Sequence, residues 1–118
     1  MQRAIDAGDL IVAEDTQEVI AIVLRQWEDP LFWSDRATGE AVYLHKLAVR
    51  RAKAGHGYVD ALMDWIARDT ASRGIKYLRL DCAPRPALLG VYEKLGFVQI
   101  DQCKVDKFTV ARLQRKVL

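Results

Sequence analysis

Apolar residues in this chain occur mostly in short alternating runs, separated by two stretches in which they recur at every third or fourth position. The first spacing is typical of strands with one buried face, and the second indicates amphipathic helices. A polar turn over 14–17 joins the first two runs as a hairpin. The pattern predicts strands over 10–13, 19–25, 41–49, 77–82, 97–102 and 108–117, and helices over 56–72 and 86–94.

This order of elements predicts an α/β architecture, in which helices pack against a mixed sheet. Strict alternation along the strand over 41–49 places four residues on one face. They are Tyr43, His45, Leu47 and Val49. The long loop over 27–39 contains Trp27, Phe32 and Trp33. Their bulk favours packing within the fold, with an acceptor pocket or a contact to a second subunit as the alternatives.

Length and composition indicate one ordinary globular domain over residues 1–118. The chain has 118 residues, of which 51% are hydrophobic and 29% are charged, and this is enough to bury a core. The net charge of +2 is too small to favour nucleic-acid binding. Three basic residues near the end, Arg112, Arg115 and Lys116, are expected on a solvated strand or tail.

The sequence predicts a cytoplasmic protein without membrane contact. Its apolar runs, such as 19–24, are far shorter than the roughly 20 residues that cross a bilayer. Residues 1–6 include an acid and lack the apolar core of a signal peptide. Cys82 and Cys103 have neither disulfide nor zinc spacing, and they indicate small core residues in a reducing compartment.

The segment with the most chemical information is the turn over 50–58, which lies between a predicted strand and a predicted helix. Gly55 and Gly57 let the backbone approach a ligand closely. A helix start also has unpaired N–H groups and a partial positive charge. The basic residues of the turn are Arg50, Arg51 and Lys53. Together these features favour binding of a pyrophosphate, and therefore of a phosphorylated cofactor.

Other phosphate and metal motifs do not fit this turn. A P-loop requires Gly-Lys-Ser/Thr, but Gly57 is followed by Tyr58. The third glycine of a dinucleotide-binding fingerprint would fall on Asp60. The two histidines and two cysteines are scattered without zinc spacing, so no metal site is expected.

Four segments between residues 43 and 97 together resemble the GNAT superfamily of acyl-CoA-dependent N-acetyltransferases. They are Leu47-Ala48-Val49, Gly55-His56-Gly57, Leu78-Arg79-Leu80-Asp81-Cys82 and Tyr92-Glu93-Lys94-Leu95-Gly96-Phe97. The glycine pair alone is weak evidence, whereas its combination with the last segment is specific. The resemblance implies a mostly antiparallel central sheet flanked by helices. It also implies that the usual first strand and helices are lacking, with residues 1–7 as the end of that region.

The same resemblance implies acetyl-CoA as a co-substrate. The pantetheine arm would lie along Leu47, Ala48 and Val49, where the Val49 N–H would polarise the thioester carbonyl. The pyrophosphate would lie on the N–H groups from Lys53 through Tyr58. The implied cofactor residues of this turn are Ala52, Lys53, Ala54, Gly55, His56, Gly57 and Tyr58.

Two positions depart from the usual pattern of the family. Ala52 stands where the cofactor loop usually begins with arginine or glutamine, which leaves Arg51 or Lys53 to supply the charge. Arg85 stands where many relatives have asparagine. An arginine at this position can still contact a phosphate, with a different geometry, and we expect Arg85 to bind the cofactor.

Acetyl transfer to an amine needs a group that protonates the departing thiolate and a group that deprotonates the amine. Tyr92 is the expected acid, because a phenol with a pKa of about 10 can protonate a thiolate whose thiol titrates at about 8.5. His45 is a candidate base, because an imidazole titrates in a suitable range. Glu40 and an ordered water chain are the alternatives for the base.

These observations lead to a hypothesis about function. The chain is expected to move an acetyl group from acetyl-CoA to a primary amine of a small molecule or peptide. The alternative is a catalytically silent module of the same fold that holds CoA or binds a protein partner. An open sheet edge and the loop aromatics are compatible with a homodimer. Which amine serves as acceptor depends on variable loops and does not follow from the sequence.

Overall fold

The computed structural model describes residues 3–7, 9–15 and 18–118, with the backbone alone for 3–7. Within these residues seven strands form a single sheet, whose order is β1-β2-β3-β4-β5-β7-β6. All neighbouring strands are antiparallel except β4 and β5. The elements are β1 (Arg3–Ala7), β2 (Leu10–Asp15), β3 (Glu18–Gln26), β4 (Ala41–Val49), α1 (Tyr58–Ser72), β5 (Tyr77–Cys82), α2 (Pro86–Lys94), β6 (Val98–Val105) and β7 (Phe108–Lys116).

The predicted mixed, mostly antiparallel sheet and both predicted helices are confirmed. The hairpin of β2 and β3 is confirmed by their antiparallel register. One strand, β1, departs from the prediction that residues 1–7 are only the end of a region that is lacking. Arg3–Ala7 pairs with β2 along its whole length and extends the sheet at one edge. The run is only five residues long, and so short an alternation gives a weak signal.

A β-bulge in β4 overturns the predicted common face of Tyr43, His45, Leu47 and Val49. In the antiparallel pairing of β3 with β4, Ile22 is opposite Ala48 and Leu24 is opposite His45. A step of two residues along β3 thus corresponds to three residues along β4, so β4 has one extra residue. Lys46 takes up this residue with a φ of 55°, in the left-handed region.

The bulge reverses the alternation of side chains along β4. Leu47 and Val49 pack against the main core, the same core that contains Val42 and Leu44. Tyr43 instead belongs to a second cluster with Trp33 and Ala41, on the opposite face of the sheet. Because of this inserted residue, Leu47 and Val49 face the main core, whereas Tyr43 and His45, which precede the bulge, face the other side of the sheet.

The main core lies between the sheet and the helices. The stripe of apolar residues in α1 is buried as its helical spacing predicts, and α2 contributes Leu89 and Tyr92. The buried residues of α1 are Leu62, Met63, Ile66, Ala67 and Thr70. Among the described residues, no helix combines the length and apolar character that crossing a membrane would require.

The loop between β3 and β4 is fastened to the sheet by Trp33. Trp33 is 2% exposed, and the guanidinium groups of Arg79 and Arg112 lie 5.2 Å and 4.9 Å from its ring centre. Arg112 also binds Asp35 at 2.7 Å and Asp101 at 2.6 Å. The prediction of a solvated C-terminal basic group is therefore wrong for Arg112, which is 5% exposed. Loop carboxylates and an aromatic ring compensate its charge.

Candidate functional site

A cleft opens where β4 and β5 separate. Their parallel pairing ends at Tyr43 and Arg79, although both strands continue. The gap holds about 370 Å³. Its polar lining residues are Gln26, His45, Lys46, Asp81 and Tyr92, and its apolar ones are Val23, Leu24, Leu44, Leu47, Met63 and Leu80. Two predicted catalytic residues, Tyr92 and His45, thus line the same cleft.

The helix α2 directs Tyr92 toward the cleft. Its ring packs edge-on against Phe97, with the ring centroids 6.1 Å apart. Burial raises the pKa of the Tyr92 phenol above 10.0, and the neighbouring Cys82 and Asp81 raise it further. The phenol therefore stays protonated throughout the neutral range. This is the state that a proton donor requires.

His45 and the pair Leu47 and Val49 lie on opposite faces of β4, although the sequence predicts a common face for them. Its Nε2 atom is 3.5 Å from Oδ2 of Asp29. Asp29 belongs to the loop after β3, and its side chain is 6% exposed. The other oxygen of Asp29, Oδ1, accepts hydrogen bonds from the backbone amides of Leu31 at 3.2 Å and Phe32 at 3.1 Å. The turn thus fixes the carboxylate beside the histidine.

Asp81, at the end of β5, completes a cluster that the sequence analysis did not predict. Donor atoms of Asp29, His45 and Asp81 all lie within 4.8 Å of one another. Asp29 Oδ2, His45 Nε2 and Asp81 Oδ1 are buried and have no hydrogen-bond partner among the described residues. This arrangement offers buried acceptor atoms to a cation. The prediction of no metal site rested on linear spacing, which does not reveal these three side chains because they come from three different segments; that prediction stays a prediction.

Little in the sequence signals this cluster. Asp29 precedes Pro30, a dipeptide that indicates a turn, and its Oδ1 makes the amide contacts typical of aspartate in turns. Asp81 lies within the strand segment that carries the family resemblance, but nothing there marks it as a site residue.

Replacement of Asp81 by Asn should raise the melting temperature at pH 8 and leave it nearly unchanged at pH 3. Burial first, and then the Asp29 charge, raise the pKa of Asp81 above 3.8, while His45 lowers it. A carboxyl whose pKa is higher in the folded state costs stability once the pH exceeds that pKa, and the cost disappears below the unfolded pKa. Thermal unfolding of both proteins between pH 3 and 8 checks this.

The matched control for this pH dependence is Glu93→Gln, on the exposed surface of α2. It makes the same chemical change without burial. A difference between D81N and the unaltered chain that is independent of pH would contradict the assignment.

The predicted phosphate turn leads directly into α1. Gly55 and Gly57 have φ angles of 79° and 80°, and a Cβ at either position would meet no atom within 4 Å. Gly57 caps α1 and, as a glycine, has no side chain that could accept a hydrogen bond from the first-turn amides. The positive φ values and the open space agree with the predicted close approach of a ligand to this backbone.

Two amides of the predicted cradle are already used within the protein. The N–H of Lys53 donates to the carbonyl of Arg50 at 2.9 Å, and that of Ala54 donates to Arg51 at 3.2 Å. They close a 3-10 turn over Arg51–Lys53. The prediction that all amides from Lys53 through Tyr58 bind the pyrophosphate is therefore corrected, and the part from Gly55 onward remains a candidate.

The other predicted residues lie around this turn and the cleft. Tyr58 donates its hydroxyl to Asp15 Oδ2 at 3.2 Å, and Lys53 Nζ lies 6.0 Å from the Tyr58 ring centre. His56 and Ala52 are exposed, and so is Arg85, which caps α2. Glu40, the alternative base, pairs with Arg79 at 3.3 Å and does not line the cleft.

Comparisons with known proteins bear on the fold and the family of the chain. The model of the acetyltransferase (GNAT) family matches residues 2–97. "Uncharacterized N-acetyltransferase YesJ" of Bacillus subtilis (strain 168) is 32% identical over an alignment 105 residues long, which covers 80% of this chain and 55% of that protein. The chain thus spans about half the length of this curated relative.

Solved structures show the same fold. An acetyltransferase of the GNAT family from Listeria monocytogenes 4b F2365 has a TM-score of 0.74 at 20% identity, over 92% of this chain and 64% of that one. An aminoglycoside 6'-N-acetyltransferase complexed with coenzyme A has a TM-score of 0.72 at 15% identity, over 92% of this chain and 72% of that one.

Proposed function

Because this chain belongs to the acetyltransferase (GNAT) family, whose model matches residues 2–97, we propose that it transfers an acetyl group from acetyl-CoA to a primary amine. The amine belongs to a small molecule or a peptide. The observation that carries the proposal is the cleft between β4 and β5, which is lined by both Tyr92 and His45. A protonated phenol and an imidazole in one cleft are the acid and base that this reaction needs.

The end of β4 and the start of α1 are suited to hold acetyl-CoA. Beyond Tyr43 the strand has parted from β5, so an extended pantetheine arm can lie along Leu47, Ala48 and Val49. The Val49 N–H would then polarise the thioester carbonyl. The pyrophosphate would bind the amides from Gly55 through Tyr58, at a helix start without a side-chain cap. The solved relative that is complexed with coenzyme A supports this choice of donor.

Charged side chains near the turn would add to this binding. Arg50 is already engaged, because its Nε donates to the Val19 carbonyl at 2.8 Å and pairs with Glu18 at 3.1 Å. Arg51 and Lys53 therefore replace the charge that Ala52 does not supply, and His56 and Arg85 lie exposed for further phosphate contacts.

The chemistry follows from the protonation states of the cleft. His45 takes a proton from the acceptor ammonium, and the neutral nitrogen then forms a bond to the acetyl carbonyl carbon. The carbon–sulfur bond breaks, and the leaving thiolate takes the proton of the Tyr92 hydroxyl. Burial holds the pKa of Tyr92 above its ordinary 10.0, so the phenol reaches this step protonated. The nitrogen carries one proton too many once its bond to the carbonyl carbon has formed, and it loses this proton to water. Water later returns a proton to Tyr92 and removes one from His45, so that one proton is released overall.

Thermal unfolding with acetyl-CoA, beside free CoA, tests the donor site. At 100 times the dissociation constant, a ligand adds about 2.7 kcal/mol, which raises the midpoint by roughly 10 °C for a domain of this size. Release of free thiol in a panel of amines tests transfer. A shift with acetyl-CoA but no thiol release from any amine would favour the catalytically silent CoA-binding module instead.

Gly57→Ala should weaken acetyl-CoA binding by about tenfold. At a φ of 80° an alanine is less stable than glycine by about 1 kcal/mol or more, so the turn tends to leave the conformation that binds the ligand. The control is Gly39→Ala, at a φ of 84° in the loop before β4. Neither added Cβ meets an atom within 4 Å, so both variants carry the same strain. Isothermal titration with acetyl-CoA should separate them, and equal affinities would remove Gly57 from the site.

A further inference from the structure

We propose that Asp29 and Asp81 bind the ammonium group of the acceptor, and that the acceptor carries one aromatic ring on a short aliphatic arm. The ring would occupy a pocket beside Asp29. This inference rests on the proposed acetyl transfer, and it specifies the amine.

Asp29 is the first support for an ammonium subsite. Its side chain is 6% exposed, and Oδ1 is satisfied by two backbone amides. Oδ2 is buried and has no hydrogen-bond partner among the described residues. A buried carboxylate oxygen without a donor is costly. The turn therefore holds the carboxylate with one oxygen aimed at the cluster and ready for a donor from outside the chain.

The spacing of the cluster suits a primary ammonium ion. An R–NH₃⁺ group offers three N–H donors, and two acceptors at about 2.8 Å from one nitrogen lie about 4.6 Å apart at a tetrahedral angle. The polar atoms of Asp29, His45 and Asp81 lie no more than 4.8 Å from one another, with Asp29 Oδ2 and His45 Nε2 3.5 Å apart, so one nitrogen at about 2.8 Å can reach all three, at less than the tetrahedral angle for that pair. Two carboxylates supply the negative charge, and the imidazole is then placed to accept the proton that the ammonium must lose.

The adjoining pocket specifies the rest of the acceptor. It holds about 230 Å³, and Asp29 is part of its wall together with Trp27, Pro30, Trp33 and Tyr43. A cavity of roughly 150 Å³ is enough for benzene, so one ring with a short arm fits. Trp27, which is 40% exposed, offers aromatic surface on this wall, and the buried Trp33 ring, with the guanidinium groups of Arg79 and Arg112 within 5.2 Å of its centre, supports the loop behind it.

The pocket wall also carries charges of both signs. Glu28 and Arg36 line it, and Arg36 lies 3.9 Å from both Asp35 and Asp101. The positive charge of the acceptor is therefore assigned to Asp29 and Asp81, which belong to the cluster, and the apolar part of the wall takes the ring.

The test compares three matched probes: 2-phenylethylamine, ethylamine and 2-phenylethanol. The first has both the ring and the charge, the second lacks the ring, and the third lacks the charge. Steady-state thiol release gives KM and kcat for the amines, and isothermal titration of the CoA-bound protein measures binding of all three without turnover. We expect 2-phenylethylamine to have at least tenfold higher kcat/KM than ethylamine, and to bind at least tenfold more tightly than either other probe.

Two isosteric variants test the carboxylates. Asp29→Asn and Asp81→Asn should each raise KM for 2-phenylethylamine by roughly 10-fold to 100-fold, the range for loss of a hydrogen bond to a charged group. KM for acetyl-CoA should stay within twofold. Glu93→Gln, exposed on α2, is the control. The asparagine of D29N would keep an oxygen for the two turn amides, and unchanged melting of that variant at pH 6 would show that the loop is intact.

Several results would overturn the proposal. Equal binding of the three probes would contradict it, and so would an unchanged KM in both variants. Stabilisation of the unaltered chain, but not of D29N, by Zn²⁺ with no binding of the amine would assign the cluster to a metal. If acetyl-CoA binds and another amine is acetylated, only this inference fails; if acetyl-CoA neither binds nor reacts, the proposed function fails with it.

Discussion

Replacing Tyr92 by phenylalanine should lower kcat for acetyl transfer by about 100-fold, the lower range for loss of a positioned acid. The phenylalanine ring preserves the edge-on contact with Phe97 at 6.1 Å, so stability should change little. The affinity for acetyl-CoA, measured by titration calorimetry, should stay within twofold. Loss of turnover with binding intact is the result expected for a group that acts on the leaving thiolate.

The pH dependence of this variant sharpens the test. Burial raises the pKa of Tyr92 above 10.0, so the unaltered protein should keep its donor protonated throughout the neutral range. Its activity should fall on the alkaline side only above that raised pKa, and the variant should lack this limb. The matched control is Tyr77→Phe on β5, because Tyr77 does not line the cleft. Full turnover in Y92F would exclude Tyr92 as the acid.

The parts of the fold that were predictable depend on local periodicity. The stripe of α1 and the alternation of β2 and β3 reflect contacts of each element with one continuous core, so the sequence alone shows them. The bulge at Lys46 is not a local signal. It is defined by the mismatch between β3 and β4, and its positive φ is adopted by a lysine rather than a glycine. The faces of β4 were therefore predicted wrongly.

The candidate site divides in the same way. Tyr92 and the glycines of the turn lie in short motifs, so their positions could be read from neighbouring residues. Asp29 and Asp81 are far apart in the sequence, and they approach each other only because the loop after β3 folds back over the sheet. That loop is held by Arg112 through Asp35 and the Phe32 carbonyl. Nothing near Asp29 in the sequence specifies this long-range contact.

Replacing Trp33 by alanine should lower the free energy of unfolding by about 3–5 kcal/mol. The side chain is 2% exposed, and its removal leaves a cavity beside the guanidinium groups of Arg79 and Arg112. Both buried cations lose an aromatic partner at the same time. Urea denaturation, followed by circular dichroism, measures the change in the midpoint.

Two variants of the same loop separate packing from other effects. Trp33→Phe retains an aromatic ring beside the guanidinium groups and should lose only about 1–2 kcal/mol. Trp27→Ala removes an indole that is 40% exposed, and its loss should likewise be small. If W33A were no less stable than W27A, the loop would be held by Arg112 and its carboxylates rather than by the enclosed ring.

Replacement of Trp33 should also weaken binding of the amine in the cleft. Its backbone N–H donates to the carbonyl of Asp29 at 3.0 Å, so loosening of this turn moves the carboxylate that lies 3.5 Å from His45. The turn before α1 does not contact the loop ring, and acetyl-CoA binding should therefore persist under conditions in which W33A is folded. We expect KM for the amine to rise at least tenfold while KM for acetyl-CoA stays within twofold. An equal rise in both constants would indicate general unfolding rather than displacement of Asp29.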